Sequence, residues 1–543
     1  MHSRRASSKP PLSHAAWQYL PGSLAAALLL LLVSTSLGAL LRHAELSDWQ
    51  GLANDAYLWR VVRFSLWQAG LSALLSVLLA IPVARALARQ SQWPGRRWLI
   101  RVLELCLVLP SMVVIYALVQ VHGRQGWLPM LLQEWGWQPP SYLYGLSGIL
   151  LAHVFFNLPL CARILLQELQ AIPSQHWRLV AQYGWHSRLV WRTLEWPCIR
   201  PMLARLFALV FTLCFTSFAI IMVLGGGPRA TTLELAIYQA LKFDWDIGRA
   251  AILAMLQLSL GALLWWWVSH LGTRMNLSPM LTPSHWPRAD ARGWGRALDW
   301  LLILALMLLL LPPLFAVLWS GIPGFIQQLA SSRLWLAWWQ SAWIASCAGL
   351  LALSLALALQ GAARYWRGQL RLRLAAALEM SGHVILLFPA LVLGVGLFVL
   401  LQPLVNMLHY GQLAIILINS LMALPFALHI VRAPLQNLSQ PSLRLADSLN
   451  LRGWYRWRWL VWPQLRQPLA LAWAYAAAIS LGDFSVVALF GSPASPTLPL
   501  LLYQQLGAYR LQEAAGTALL LVLTAAFIFA LGHYWGHRKT HHA

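Results

Sequence analysis

Chemistry needs titratable or nucleophilic groups held close together, and this chain spends few of them. Its 543 residues include 16 Asp plus Glu and 16 His, all scattered. There is no His-Glu-x-x-His, the helical spacing that aims two imidazoles at one zinc ion. The five cysteines (Cys106, Cys161, Cys198, Cys214, Cys347) form no Cys-x-x-Cys pair and mostly sit in apolar runs, so they read as small packing residues. The triplet GGG (225–227) is followed by PRATT and lacks the Lys-Ser/Thr that a phosphate-cradling loop requires. Any ATP must therefore be hydrolysed by another polypeptide. The tail HRKTHHA (537–543) is a terminal basic run with incidental metal affinity. No catalytic constellation, metal site or bound cofactor is expected on this chain.

Ionisable groups inside apolar runs are a separate matter, since a mid-helix acid costs about 2.5–3.5 kcal/mol on insertion scales. Asp483, in AAAISLGDFSVVALF (476–490), falls within an expected membrane helix, and Ser217 holds the matching position earlier in the chain. A lone carboxylate lining a path could attract a cationic solute; an interhelical hydrogen bond or a packing role near the outer end is the alternative. His153 and Asn157, at i and i+4, share one helix face and serve either a cavity or core hydrogen bonds. Glu104 and Glu379, each in a Leu-Glu pair, lie beside Arg101 and Arg373 and read as salt-bridged anchors near inner helix ends.

The elements that must position these groups are membrane helices. The chain is 59% hydrophobic and 10% charged, with a mean hydropathy of +0.61, against roughly 25% charged in a soluble domain. Twelve apolar runs reach bilayer-crossing length, near 20–41, 62–84, 102–121, 144–165, 202–224, 249–270, 298–319, 339–360, 375–401, 411–431, 467–490 and 513–534. The basic start MHSRRASSKP precedes a long first run with no small-residue cleavage pattern, so a retained first helix is expected. With the N-terminus inside, 30 of the 39 Lys and Arg fall in cytoplasmic segments, as the positive-inside rule demands. The net charge of +23 is then a loop property and implies no nucleic acid. Many of the 32 tryptophans fall at span ends (Trp59, Trp67, Trp127, Trp135, Trp137, Trp265, Trp266, Trp267, Trp319, Trp335) as headgroup anchors against lipid.

Two stretches break this pattern. QYGWHSRLVWRTLEWP (182–197) and SLNLRGWYRWRWLVWP (448–463) agree without a gap at Trp191/Trp457, Arg192/Arg458, Leu194/Leu460, Trp196/Trp462 and Pro197/Pro463, an offset of 266 residues. The offset extends to Pro159/Pro425, Phe218/Phe484, Gly225/Gly491 and Thr231/Thr497, and IYQAL (237–241) parallels LYQQL (502–506). The chain is a tandem duplication of about six helices per half. An even number gives both copies the same orientation, the parallel kind of repeat. Each stretch falls in a cytoplasmic loop between the fourth and fifth helices of its half. In the first, a Pro/Ser helix start is followed by a Gly break, a second helical piece and Pro at membrane re-entry. Such an amphipathic helix outside the membrane suits a partner's groove, or a lipid surface. Its presence at the same place in both halves favours two equivalent partner subunits.

The spacing of Gly184 and Pro197, with Leu194 and Trp196 before the proline and Arg178 and Ala181 before the glycine, resembles the EAA loop of ABC importer permeases. Arg178 stands where that pattern has Glu. In the second copy Arg444, Asn450, Leu460, Trp462 and Pro463 take the corresponding places. VHGRQGW (121–127), YGLSGILLAHVFFNLP (144–159), GGGPRATTLELAIYQAL (225–241), LGDFSVVALFG (481–491) and TLPLLLYQQLGAYR (497–510) are similar to the thiamine (thiamine pyrophosphate) transport permeases of Gram-negative bacteria. This resemblance implies an inner-membrane importer subunit with both termini cytoplasmic. It implies two copies of a cytoplasmic ABC ATPase using ATP and Mg, a periplasmic thiamine-binding protein, and thiamine as cargo, with the choice between thiamine and its phosphates left open.

The expected architecture is thus an all-α polytopic membrane protein of about twelve transmembrane helices in two tandem six-helix type-1 permease halves. Residues 1–56 carry the N-terminus, first helix and outer loop, and 57–270 the first permease domain. Residues 271–334 carry the linker, seventh helix and outer loop, 335–534 the second permease domain, and 535–543 the tail. A fused ferric-iron permease would share this plan. A proton-coupled secondary transporter would put titratable groups at several midplanes and leaves the duplicated loop unexplained.

Overall fold

The computed structural model describes residues 12–43, 54–137, 142–270, 288, 293–402, 407–436, 448–449, 451, 455 and 457–537, and every regular element among them is helical. The chain begins with α1 (Leu12–His43), α2 (Ala56–Arg89), α3 (Arg96–Val108), α4 (Ser111–His122), α5 (Trp127–Glu134) and α6 (Leu146–Ala171). Two short helices, α7 (Ser174–Gln182) and α8 (Ser187–Val190), lead into α9 (Trp196–Phe215), α10 (Ala219–Leu224), α11 (Leu233–Lys242) and α12 (Ile247–His270). The second repeat runs through α13 (Trp294–Gln328), α14 (Ser332–Gly368), α15 (Leu372–His383), α16 (Ala390–Leu401) and α17 (Met407–Gln436). It closes with α18 (Trp462–Gly482), α19 (Ser485–Phe490), α20 (Leu498–Gly507) and α21 (Leu511–His537).

Among the described residues nine helices are long and apolar enough to cross a bilayer, or eleven if two bent pairs each count as one span. The bends fall within the expected spans 102–121 and 375–401, at 114° and 94°. Each has a proline at the break. Pro110 and Pro389 lack the N–H that would continue a helix, and their rings push the preceding residue out of the α region. Leu109 accordingly has ψ 134° and Phe388 ψ 119°. The expected span 467–490 is also not one helix. It is α18, a break at Asp483, and α19. The expected span 202–224 divides in the same way into α9 and α10, with a break at 216–218.

The helices gather into two compact units. One combines α1 with the helices between Trp335 and Leu500 and the part of α21 from Leu523 onward. Its core joins Ala25, Leu29 and Val33 of α1 to Leu359, Leu424, Leu428 and Leu469. Close approach of α1 is possible because Gly22 lies against the Ala358 carbonyl, and Gly396 leaves no room for a Cβ beside Ser36, at 2.9 Å. The other unit runs from residue 54 to Leu334 and takes in Leu501–Val522. Here α13 packs along α2 and α4. The base of α13 is fixed by Asp299, which accepts from Arg89 Nη1 (3.4 Å) and Gln90 Nε2 (3.0 Å) at the end of α2. The first helix of each repeat is therefore built into the unit that holds most of the other repeat, a choice of partner that apolar pattern does not encode.

One contact is repeated across the duplication. The Leu233 N–H at the start of α11 donates to Ser65 Oγ (2.9 Å), and the Leu498 N–H at the start of α20 donates to Ser341 Oγ (2.7 Å). In both cases a buried serine on the long helix satisfies an orphan donor at a helix N-terminus.

Candidate coupling segments

The first Trp/Arg stretch folds as its residue types dictate. Pro173 precedes Ser174 and sets the fixed φ that starts α7, with Ile172 held extended before it (ψ 122°). The helix ends in a Schellman turn. Gly184 takes a left-handed φ of +62°, and the Trp185 N–H donates back to the Val180 carbonyl at 3.1 Å. A Cβ on Gly184 would meet nothing within 4 Å, so the glycine is required by its dihedral alone.

Helix α7 buries Trp177 and Val180 at i and i+3, and turns Arg178, Leu179, Ala181, Gln182 and Tyr183 outward. Leu179 and Tyr183 are 47% and 70% exposed, giving the outer face an apolar component beside its arginine. Beyond α8 the second helical piece runs into Pro197 without a break. It stays helical from Ser187 to Phe215 through a π turn at Trp191–Glu195, in which the Trp196 N–H reaches Trp191 O. Pro197 cannot donate to a carbonyl four residues back, and its ring would crowd that carbonyl. The wider turn relieves both problems. The second copy repeats this solution, with a π turn at Trp457–Val461 ahead of Trp462 and Pro463.

Of the residues singled out in the first copy, Arg178, Ala181, Gly184 and Pro197 are exposed, and Leu194 and Trp196 are half-buried. In the second, Trp462 and Pro463 are exposed and Leu460 is half-buried; Arg444 and Asn450 lie outside the described residues.

Sequence reasoning missed Glu195. It is the only carboxylate between Glu168 and Glu234, and its side chain is fully buried. Arg85 Nε from α2 meets Oε2 at 2.6 Å, and Arg288 Nη2 meets Oε1 at 2.6 Å. Arg85 also donates to Ser187 O (3.0 Å) and Oγ (2.9 Å), and lies 5.0 Å over the Trp191 ring. A solitary acid in an Arg-rich stretch was the available signal, because a carboxylate is retained in such company where it has partners to bind.

The pathway candidates have local tasks. His153 and Asn157 are buried, 2% and 5% exposed. His153 Nδ1 hydrogen-bonds Ser72 Oγ at 2.9 Å, and Asn157 Nδ2 donates to the His153 carbonyl and to Cys214 Sγ (3.4 Å). They tie α2, α6 and α9 together. In the second repeat Asn419, at the His153 position, donates to Ser480 Oγ (3.0 Å), at the Cys214 position. Asp483 is not inside a helix: it ends α18, and its Oδ2 accepts from the Val486 N–H at 3.1 Å, capping α19. Ser217 occupies the matching break, its N–H directed at the Cys214 carbonyl (3.4 Å). Glu104 and Glu379 are ion-paired, but not with the neighbouring arginines. Glu104 meets Arg163 (3.0 Å) from α6, and Glu379 meets Arg367 and Arg432 (3.4 Å). Tertiary neighbours took precedence over sequence neighbours. No group of three or more metal-binding side chains occurs among the described residues.

A duplicated set of long apolar helices, each copy with a Trp-Pro pair that follows a π turn and opens a long helix, defines a duplicated membrane permease. The family of binding-protein-dependent transport system inner membrane components matches residues 73–277 and 369–536, and the chain belongs to it. It is a multi-pass inner-membrane protein. The chain is 43% identical over 520 residues to the thiamine transport system permease protein ThiP of Escherichia coli strain K12, covering 94% of this chain and 95% of that one. It is 39% identical to the permease of the same name from Brucella abortus strain 2308 (95% of each chain). The Haemophilus influenzae protein of that name is also 39% identical (90% of each). These relatives are transport subunits, not enzymes.

Proposed function

We propose that this chain is the membrane-spanning subunit of an ATP-driven importer for thiamine. The observation that carries this reading is 39–43% identity, over 94–95% of the chain, to permeases named for thiamine transport. Both termini face the cytoplasm, a reading supported by the 30 of 39 basic residues in the segments that become cytoplasmic. On that side α7 and its second-copy counterpart each engage one copy of a separate ATPase, which binds ATP and Mg. A periplasmic thiamine-binding protein docks on the opposite side and supplies selectivity.

The cycle is alternating access. Closure of the ATPase pair on ATP draws the two coupling segments together and opens the outer side; hydrolysis returns the inward-facing state. A ligand shifts a two-state equilibrium only by its differential affinity, so ATP and the loaded binding protein must both favour the outward state.

The test is uptake of labelled thiamine by cells lacking this gene and complemented with it, with iron uptake followed in parallel. Restoration that requires a catalytically intact ATPase is the expected result. Uptake of iron instead would overturn the cargo. Thiamine uptake that survives an inactive ATPase and collapses with a protonophore would overturn the energy source.

A further inference from the structure

Arg288 belongs to the connection between the repeats, yet its side chain is only 4% exposed. It touches the first coupling segment at two separate points. Its Nη2 lies 2.6 Å from Glu195 Oε1 in the π turn, and its guanidinium lies 3.9 Å from the centroid of the Trp177 ring. Trp177 is the buried anchor of α7. The guanidinium thus bridges the coupling helix to the π turn that carries the chain into α9. Glu195 divides its carboxylate, giving one oxygen to Arg85 of α2 and the other to Arg288.

Two of the three charged residues of this cluster have uncharged counterparts in the second repeat. Counting from the equivalent serines Ser65 and Ser341, Gly361 stands at the Arg85 position, and counting from the Trp-Pro pairs, Val461 stands at the Glu195 position. The π turn is duplicated and these two charges are not, so turn geometry does not require them. They do something particular to the first segment.

We propose that Arg288 is a positioning residue for energy coupling at the first coupling site. The inference rests on the reading that α7 docks the ATPase. Helix α7 joins the unit through Pro173 at one end and the left-handed Gly184 at the other, so its packing rests on its two buried side chains, Trp177 and Val180. A helix that receives force from a partner transmits it only if its buried face is backed. Arg288 supplies that backing through Trp177, and its charge is held by Glu195.

The informative variant is Arg288→Ala, because Glu195 then keeps Arg85 as counter-ion and the fold has no stranded carboxylate. It is tested in the full chain, co-expressed with its ATPase and reconstituted with the binding protein. Arg288→Ala is expected to co-purify with the ATPase and to raise amide exchange across 174–182 about tenfold, the scale of a lost cation–π contact and ion pair. It should lower solute carried per ATP hydrolysed while the KM for ATP stays unchanged. Exchange at 457–463 should not move, and Arg288→Lys should recover part of the loss. Unchanged exchange and unchanged coupling would overturn the proposal, as would equal loosening of both segments. The control is Leu179→Asp. If it leaves ATPase docking intact, the docking assignment and this inference fall together. If it releases the ATPase while Arg288→Ala is silent, only the inference falls.

Discussion

Gly184 gives the sharpest test of how α7 is built, because two possible causes of a glycine requirement separate there. A Cβ would meet nothing within 4 Å, so no clash contributes. The φ of +62° remains. An L-residue with a Cβ pays about 1–2 kcal/mol in that region, and Gly184→Ala should weaken the Schellman turn by that amount. At about 1.4 kcal/mol per tenfold, the ordered last turn becomes roughly five- to thirtyfold less favoured. Asn tolerates a left-handed backbone better than Ala, and Asn450 occupies the corresponding place in the second copy. Gly184→Asn should therefore lose clearly less than Gly184→Ala, despite its larger side chain. Amide exchange across 174–185 in the purified permease reads the helix directly, and titration with the ATPase reads its consequence for docking. An Asn variant as impaired as Ala, or worse, would refute the dihedral argument and point to a steric limit at this site.

Three further outcomes follow from the same geometry. Leu179→Asp puts a charge on the apolar part of the exposed face of α7; it should abolish ATPase co-purification while membrane insertion and the melting profile stay unchanged. Asp483→Ala removes the cap on α19 and should cost about 1 kcal/mol, seen as a lowered Tm in detergent. Asp483→Asn retains an acceptor and should keep both stability and uptake; an Asn variant that folds but fails to transport would assign the charge to the path instead. Glu195→Val leaves Arg85 and Arg288 without their shared carboxylate and should cost about 3–5 kcal/mol, whereas the triple change Arg85→Met, Glu195→Val, Arg288→Leu should recover most of it. Thermal melts of the two variants side by side check this, and a triple variant no more stable than the single would contradict it.

Much of the architecture was legible because membrane helices are written in composition. Runs of apolar residues near bilayer length cannot serve another purpose cheaply, and the Trp-Pro pairs 266 residues apart exposed the duplication. Gly184 read as a break and is one. What was hidden depends on register or on three-dimensional neighbours. Pro197 and Pro463 stand out only as Trp-Pro pairs, and each follows a π turn that lets the helix run on. That widening leaves no trace in a pattern of residue types. The bends at Pro110 and Pro389 were hidden because the apolar run continues through them. Glu104 reads as the partner of a neighbouring arginine, and the structure gives it Arg163 from α6.

The two coupling segments separate what docking demands from what each repeat settles for itself. Both keep the π turn and the Trp-Pro pair. Those features set the direction in which the chain leaves the loop and enters the membrane, and two identical partner surfaces would require that direction to be met twice. The anchoring Arg85 and Glu195 of the first segment, by contrast, have the uncharged Gly361 and Val461 at the corresponding places of the second repeat. An ion cluster buried this deeply stabilises weakly relative to apolar packing of the same shape, so raw stability is a poor reason to keep one. Its advantage is directional: a guanidinium stacked on Trp177 and bound to Glu195 admits one arrangement of α7 against the π turn, where apolar side chains would admit several. The first segment therefore adds a charged anchor to the backbone features that both segments share.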